Sequence, residues 1–270
     1  MQKNNITETD FMLEIRKICD LMYQKGWNER NGGNLSYILD ESTIKDYLDC
    51  NAKGRSFPLE SPIPTLANMY FLVTGTGKYF KNVFENPEQN LGIIKISKDG
   101  TSYEIIWGLP EAKPTSELST HLMCHEVRLE QDPDHKVVIH NHATNIEAMT
   151  FVVDLTDRAF TRTLWQMQTE SIVVFPEGIG VLPWMVCGSD LIGTATAEKM
   201  SKYRLAVWAH HGILGVGKTI DETFGLIETA EKAAEIYMKI ANLKIKQTIT
   251  DNELKSLAKA FNISYNKNFL

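Results

Sequence analysis

The sequence predicts one α/β domain with a largely antiparallel or mixed central β-sheet whose faces are covered by helices. Three observations support this fold class. Strand-like and helix-like segments alternate along the 270 residues. Two consecutive strand-like segments, residues 91–97 and 102–107, are joined by the turn sequence Lys98-Asp99-Gly100, which predicts an antiparallel hairpin. No shift in composition marks a second unit, so residues 1–270 are expected to form a single domain.

Short runs rich in β-branched and aromatic residues, bounded by turn residues, mark the expected strands. The strands are expected at residues 35–39, 70–73, 91–97, 102–107, 136–142, 171–175 and 206–214. Residues 50–64, between the first two strands, are rich in proline, serine and glycine and are expected to form a loop.

Apolar residues at helical spacing mark the expected helices. The first has apolar side chains spaced from Phe11 to Met22, and Gly26 suits its end. A Ser or Thr near residue 116 can cap the second. The fifth begins with a capping-box sequence, in which Thr219 and Glu222 each bond the other's backbone N–H. The helices are expected at residues 9–25, 116–131, 144–151, 190–202, 219–242 and 251–261.

Charge and composition limit the partners of the chain. The formal net charge is -6, and no run of Lys or Arg of the kind that neutralises a phosphate backbone occurs, so nucleic acid is not expected as a partner. The N-terminal segment lacks the apolar core of a signal peptide, and no stretch of roughly 18 apolar residues occurs. We therefore expect a cytoplasmic protein without a membrane partner. The four cysteines, scattered without a CxxC pair, are expected to be reduced packing thiols.

The most informative motif is H-x-H at the end of the apolar strand predicted at residues 136–142. Strand geometry places His140 and His142 on one face with Cβ atoms roughly 6–7 Å apart, a spacing from which two imidazoles can converge on one metal ion. A catalytic zinc commonly takes three protein ligands and keeps a fourth position open. His210 and His211 lie on a later expected strand and face opposite sides, so either could be the third ligand.

His121 and His125 stand four residues apart on an expected helix, which is also a chelating geometry. The residues between them lack the glutamate of H-E-x-x-H, so the sequence does not indicate a metalloprotease. We expect these two to be ordinary histidines of a helix surface.

Three loops, at residues 31–34, 74–78 and 114–117, combine glycine with neutral polar side chains. Glycine lets backbone N–H groups turn toward an anion, and a helix that starts near residue 115 would add the positive end of its dipole. The second loop is not a Walker A motif, because its spacing between glycines is too short. Together the loops favour a small phosphorylated molecule over a nucleotide. The expected substrate- and phosphate-binding residues are Asn31, Gly32, Asn34, Thr74, Gly75, Thr76, Gly77, Thr115 and Ser116.

Longer motifs carry a closer likeness. The chain resembles the bacterial rhamnulose-1-phosphate aldolase family, within the class II aldolase and adducin-like superfamily, nearly from end to end. The resemblance is densest in residues 26–35 (GWNERNGGNL), 73–78 (VTGTGK), 114–118 (PTSEL), 140–145 (HNHATN), 174–176 (VFP), 182–186 (LPWMV) and 221–227 (DETFGLI).

The resemblance implies a set of site residues. In that family the two histidines of H-x-H and the histidine directly before the later glycine hold zinc, which implies one Zn²⁺ per subunit on His140, His142 and His211. His210 stands where the family more often has an apolar residue, and we interpret it as facing away from the metal. The glutamate of T-S-E-L, here Glu117, is the family's catalytic acid/base.

The resemblance also implies an assembly and a reaction. It implies an antiparallel sheet sandwiched by helices, a homotetramer with fourfold symmetry and active sites near subunit interfaces. The implied reaction is the reversible cleavage of L-rhamnulose 1-phosphate to dihydroxyacetone phosphate and L-lactaldehyde in L-rhamnose catabolism. Zn²⁺ would polarise the ketone and stabilise the enediolate without a lysine Schiff base. Glu117 would move the proton at the carbon that becomes nucleophilic, and Glu170 is a candidate second acid near the aldehyde half.

Three alternatives share the fold or parts of this pattern. A sugar-phosphate epimerase or a fuculose-phosphate aldolase of the same superfamily would have the same metal ligands and phosphate loops. A non-catalytic module on the same fold would typically lack the metal ligands, which are present here.

Overall fold

The structure, a computed structural model, describes residues 5–270 and places nine strands of that range in one sheet. They are β1 (Asn34–Leu39), β2 (Arg55–Pro58), β3 (Tyr70–Thr74), β4 (Leu91–Ile96), β5 (Ser102–Gly108), β6 (Val137–Asn141), β7 (Gly180–Leu182), β8 (Leu205–Trp208) and β9 (Gly212–Gly217). The order across the sheet is β2-β5-β4-β3-β1-β6-β9-β8-β7. Each neighbouring pair is antiparallel except β7 and β8, which are parallel. The predicted mixed, largely antiparallel sheet is confirmed.

The same residues form ten α-helices and four short 3-10 helices. The α-helices are α1 (Asp10–Gln24), α2 (Glu41–Ile44), α3 (Pro87–Asn90), α4 (Leu118–Gln131), α5 (Thr144–Met149), α6 (Asp157–Met167), α7 (Thr169–Val174), α8 (Asp190–Met200), α9 (Ile220–Ile240) and α10 (Asp251–Ala260). The 3-10 helices are Ile6–Glu8, Pro64–Leu66, Phe80–Asn82 and Lys267–Phe269. Among residues 5–270, none of the helices has the length and apolar content that crossing a bilayer requires.

Alternation along β6 shows how the helices cover both faces of the sheet. Val137 and Ile139 belong to a core that also contains buried side chains of α1, α5, α6 and α9. Val138 points to the other face, where it packs in a cluster with residues of α4 and α8. His140 continues the series of Val138, so the strand directs it toward the face that α4 covers. The fold thereby brings the end of β6 close to the beginning of α4.

Several predicted elements were wrong. Residues 171–175, predicted as a strand, lie mostly in helix α7, where Ile172 and the following Phe175 are buried against neighbouring helices. A β-branched run of this length is too short to show helical periodicity, so it is easily misread as a strand. The predicted loop at 50–64 contains β2, because Phe57 pairs across the sheet with Tyr103 of β5. That pairing is tertiary and leaves no local pattern.

Residues 206–214, predicted as one strand, are instead parts of β8 and β9 joined by a tight turn. The turn is closed by His211 N–H donating to the carbonyl of Trp208 at 3.1 Å, and His210 occupies the left-handed region with φ 60°.

The predicted capping box of α9 is half formed. The Thr219 hydroxyl accepts from Glu222 N–H, but the Glu222 carboxylate accepts from the N–H of Lys218, one residue earlier.

Candidate metal and catalytic site

Three imidazoles converge where β6 ends and where β8 turns into β9. The ring centroids of His140, His142 and His211 are 4.9–5.3 Å apart, and one nitrogen from each ring lies within 4.8 Å of the others. His210 is turned away from this group. Its Nδ1 lies 3.0 Å from the Thr150 hydroxyl, and its ring packs on Phe151 at 4.2 Å. The sequence pattern left open whether His210 or His211 joins the H-x-H pair. In the structure, His211 lies beside that pair.

The hydrogen bonds of two of these rings leave a nitrogen electron pair for a metal. His140 Nδ1 lies 3.1 Å from the carbonyl of Ile213, which can only accept, so the proton is on Nδ1. His140 Nε2 is then an acceptor, and it is buried without a hydrogen-bond partner among the described residues. His142 Nδ1 lies 2.9 and 3.1 Å from the two carboxylate oxygens of Glu29, which likewise leaves Nε2 free. A carboxylate or carbonyl behind the ring is the usual arrangement for a histidine that holds a metal.

Burial and the neighbouring rings keep His140 and His211 neutral, the form that binds a metal. Burial, followed by the neighbouring imidazoles, holds the pKa of His140 well below its ordinary value. The same causes lower the pKa of His211 to about 4. The three histidines therefore fit a divalent metal ion by position. His140 and His142 also fit by orientation, and His140 and His211 by protonation.

Two glycines let the chain approach these rings closely. A Cβ at Gly32 would lie 2.8 Å from Cε1 of His142 and 2.9 Å from the carbonyl oxygen of Glu29. A Cβ at Gly212 would lie 2.3 Å from the carbonyl oxygen of Asn141 and 3.1 Å from Cε1 of His140. Both distances to the rings are shorter than ordinary contact, so any larger residue would press on a histidine of the cluster.

Glu117 lies beside the histidines at the N-cap of α4, with 6% of its surface exposed. One carboxylate oxygen is 3.8 Å from Nε2 of His140, and the other is 4.0 Å from Nε2 of His211. Burial raises the pKa of Glu117, while a hydrogen bond from Asn34 and the charge of nearby His142 oppose the rise. A carboxyl group with a raised pKa next to a cluster that could hold a metal ion is suited to exchange a proton with a bound molecule.

The start of α4 differs in detail from the prediction. The helix begins at Leu118 instead of residue 116, and its N-cap is Glu117, whose side chain makes no capping bond. Glu117 N–H instead donates to the hydroxyl of Thr115 at 3.3 Å. This bond holds the loop that carries Glu117 against the helix start.

A cavity of about 200 Å³ joins the histidines, Glu117 and the three polar loops. Its lining contains most of the residues predicted for the site. The lining residues are Asn31, Gly32, Gly33, Asn34, Gly75, Thr76, Gly77, Thr115, Ser116, Glu117, His140, His142, Cys187 and His211.

Two predicted site residues do not line this cavity. Thr74 is buried, and its hydroxyl accepts from the N–H of Leu35, so it joins β3 to β1. Glu170 is exposed in the first turn of α7. Among the cysteines, Cys19, Cys50 and Cys124 are buried as expected for packing thiols, whereas Cys187 is exposed at the cavity.

The donors that the loops offer are mainly side chains. The N–H groups of Gly32, Thr76 and Thr115 already donate to the carbonyls of Glu29, Lys113 and Thr74 at 2.7–2.9 Å. The Thr115 hydroxyl oxygen accepts from Glu117, so its O–H remains available as a donor. An anion in the cavity would thus meet hydroxyl and amide side chains, in place of the full set of backbone groups that the glycine pattern suggests.

The sequence interpretation was wrong about His121 and His125, which are fully buried. Ser36 Oγ lies 2.7 Å from His121 Nδ1 and 2.8 Å from His125 Nε2. His121 Nε2 bonds the side-chain oxygen of Asn34, and Asn34 Nδ2 donates to Glu117 Oε2 at 2.7 Å. A signal was available, because residues 118, 121, 122 and 125 have the i, i+3, i+4, i+7 spacing of the buried face of a helix. Glu29, which orients His142, was also missed.

The sequence is similar to known aldolases along most of its length. A family model described as "Class II Aldolase and Adducin N-terminal domain" matches residues 13–238. The chain belongs to the class II aldolase and adducin family. A rhamnulose-1-phosphate aldolase from Listeria welshimeri is 55% identical over 262 residues, covering 96% of this chain and 94% of that protein. One from Klebsiella pneumoniae is 52% identical, with 96% and 95% covered.

Solved structures share the fold. A sugar-phosphate aldolase from Thermotoga maritima superposes with a TM-score of 0.75 at 29% identity, over 86% of this chain and 97% of that one. An L-fuculose 1-phosphate aldolase superposes with a TM-score of 0.60 at 19% identity, over 95% and 98% of the two chains, which is a likeness of fold alone. The predicted class II aldolase fold, the resemblance to rhamnulose-1-phosphate aldolases and the assignment as a metal-dependent aldolase, a carbon–carbon lyase, are confirmed.

Proposed function

We propose that this enzyme catalyses the reversible cleavage of L-rhamnulose 1-phosphate to dihydroxyacetone phosphate and L-lactaldehyde, a step of L-rhamnose catabolism. The observation that carries the proposal is the placement of the Glu117 carboxylate, 3.8–4.0 Å from two histidine nitrogens, in a cavity that polar loops complete. The identity of 52–55% with rhamnulose-1-phosphate aldolases over nearly the whole chain favours this substrate over L-fuculose 1-phosphate.

We propose that His140, His142 and His211 hold one Zn²⁺ per subunit. A set of three imidazoles that leaves one side open is the donor set of catalytic zinc sites. A divalent ion bound there supplies Lewis acidity toward the ketone of the substrate and stabilises the negative charge left by carbon–carbon cleavage.

Glu117 handles the proton in this proposal. When the bond between C3 and C4 breaks, the C4 hydroxyl releases its proton and becomes the aldehyde of L-lactaldehyde. C3 keeps the electron pair and must gain a proton to give dihydroxyacetone phosphate. In the reverse direction the proton on C3 is removed. The raised pKa of Glu117 and its burial beside the histidines suit both transfers, because a general acid/base works best with a pKa near the operating pH.

The polar loops take the phosphate. We assign its donors to the side chains of Asn31, Thr76, Thr115 and Ser116, with Gly32 and Gly77 allowing close approach. Gly75 and Asn34 line the same cavity, but the Asn34 amide donates to Glu117. Thr74 lies outside the cavity, and its hydroxyl bonds β1. Neutral donors suit a phosphate whose charge does not change during the reaction, since they hold it without trapping it as a buried ion pair.

We further propose that the enzyme is a cytoplasmic homotetramer and that Glu170 acts as a second acid near the aldehyde half. Because Glu170 does not line the cavity of its own chain, this role requires a second copy to bring it to the site. Large apolar side chains more than half exposed, among them Phe151, Trp184 and Leu191, favour self-association. That residues 1–270 form one domain, without nucleic-acid or membrane partners, also stays a prediction.

A coupled assay for dihydroxyacetone phosphate tests the proposal. Purified protein is given L-rhamnulose 1-phosphate or L-fuculose 1-phosphate, before and after chelation and after addition of Zn²⁺, with metal content measured in parallel. We expect release from the first substrate, loss on chelation and recovery with Zn²⁺. Full turnover by metal-free protein would contradict the metal role. Preferred release from L-fuculose 1-phosphate, or epimerisation without release, would replace the proposed reaction with one of the two enzymatic alternatives.

A further inference from the structure

A line of buried polar groups runs from Glu117 into the interior, between strand β1 and helix α4. It passes through Asn34, His121 and Ser36 to His125, and each of these residues is buried. An apolar core would fill this space at lower cost, because burying polar groups costs free energy that their hydrogen bonds must offset. The line ends on the Glu117 carboxylate, which handles the proton in the proposed reaction. We therefore expect the buried polar groups to contribute to catalysis.

The partners fix the direction in which each hydrogen bond points. Burial lowers the pKa of His121 to about 3 and that of His125 well below its ordinary value, so both rings are neutral and each carries one N–H. Ionised Glu117 can only accept, so Asn34 must present its amide N–H₂ to it and its oxygen to His121. His121 therefore carries its proton on Nε2. Its Nδ1 accepts from the Ser36 hydroxyl, and the Ser36 oxygen accepts from His125 Nε2–H.

The opposite direction is unfavourable at both ends. His125 Nδ1 has no hydrogen-bond partner among the described residues, so a proton placed there would be a buried donor without an acceptor. At the other end, Asn34 would have to turn its oxygen toward the Glu117 carboxylate, placing two acceptors where the structure has a 2.7 Å hydrogen bond. The geometry thus has one low-energy arrangement, in which every member donates toward Glu117.

We propose that Ser36, His121 and His125 are positioning residues that lock the Asn34 amide in its donating orientation and thereby hold Glu117 in its reactive placement. This inference rests on the proposed role of Glu117 as acid/base. None of the three residues lines the cavity. Their loss should therefore lower kcat and leave substrate binding nearly unchanged.

Three variants of the zinc-loaded enzyme test the locking. Ser36→Ala removes one hydroxyl, and His121→Leu removes the donor to Asn34. His121→Gln keeps an N–H near the position of Nε2. We expect kcat to fall about 10- to 100-fold for the first two, the range for a displaced catalytic group, with KM within about threefold and zinc content unchanged. His121→Gln should recover most of the loss. Unchanged kcat in Ser36→Ala, or a loss in His121→Gln equal to that in His121→Leu, would overturn the proposal.

A double-mutant cycle separates positioning from general damage to the fold. In the Glu117→Ala background the line has no carboxylate to hold, so Ser36→Ala should lower kcat no further. A further fall as large as that in the wild-type background would show a merely structural role and overturn the inference. Failure of the proposed function looks different. In that case the wild-type enzyme releases no dihydroxyacetone phosphate, or Glu117→Ala alone keeps full kcat.

Histidine nitrogens labelled with ¹⁵N provide a readout that does not depend on activity. The inferred direction requires neutral His121 and His125 with the proton on Nε2 in the folded enzyme at neutral pH. An Nδ1–H form of His121 would refute it even if the kinetic variants lose activity.

Discussion

Gly32→Ala should weaken metal binding, because the added methyl group points at His142, one of the histidines proposed to hold the metal. The new Cβ would lie 2.8 Å from Cε1 of His142, whereas ordinary contact begins at 3.4 Å, so the ring would have to retreat by about 0.6 Å. A shift of the Gly32 loop cannot relieve this clash with the ring, because the Cβ is also 2.9 Å from the backbone oxygen of Glu29. Metal–ligand distances tolerate only about 0.2 Å. We therefore expect affinity for zinc to fall about 10- to 100-fold, the range seen when the support of a ligand is disturbed.

The measurement is a competition titration against a chromogenic chelator in the absence of substrate, so that the contribution of Gly32 to phosphate binding does not enter. Gly225→Ala is the matched control. No atom lies within 4 Å of a Cβ at Gly225, which sits in helix α9. That variant should bind zinc like the wild type. If Gly32→Ala also binds zinc with wild-type affinity, the account of Gly32 as space for the His142 ring is wrong.

Three further predictions concern other parts of the structure. Glu29→Ala should lower zinc affinity about 10-fold or more, since it removes the acceptor behind His142, and Glu29→Gln should retain part of the wild-type affinity. Equal zinc affinities of Glu29→Ala and wild type in a chelator competition would contradict this. Glu231→Ala should lower the free energy of unfolding by about 1–3 kcal/mol, because the Glu231 carboxylate accepts from two backbone N–H groups at the start of α5. Urea denaturation measures this change, and an unchanged midpoint of the unfolding transition would exclude that role. His121 and His125 stay neutral when folded but gain protons on unfolding below pH about 6.5. The free energy of unfolding of metal-free protein should thus fall as pH decreases, by about 2 kcal/mol for each of them between pH 7 and pH 5, and a flat profile would argue against neutral buried rings.

Local patterns allowed part of this structure to be predicted. The pairing of His140 with His142 follows from strand alternation, which is a property of neighbouring residues. Helix α1 was predicted to within a residue at each end from its apolar spacing. The choice between His210 and His211 needed the shape of a turn in which His210 takes a left-handed conformation, and no sequence period encodes that.

Other features depended on which surfaces meet in three dimensions. The same hydrophobic run that predicted a strand at 171–175 serves as the buried side of helix α7, because helices instead of strands surround it. Asn34 was predicted to bind substrate, and it lines the cavity, but its amide is directed to Glu117 by α4. The burial of His121 and His125 likewise requires that α4 lie across β1, and helical spacing alone does not say what covers a face.

The support behind His140 and His142 has a practical consequence for handling the enzyme. Both rings are held by hydrogen bonds to protein acceptors, so their Nε2 atoms are oriented before an ion binds. Little ordering of the chain should therefore accompany metal binding. His142 and His211 keep 17% and 21% of their side-chain surface exposed, so an ion can enter or leave by the cavity without unfolding. Metal-free protein should then regain its metal when a salt of the divalent ion is added, without a denaturation step. Three imidazoles also accept several divalent ions, so the ion found in a preparation should follow the metal supply of the culture that produced it.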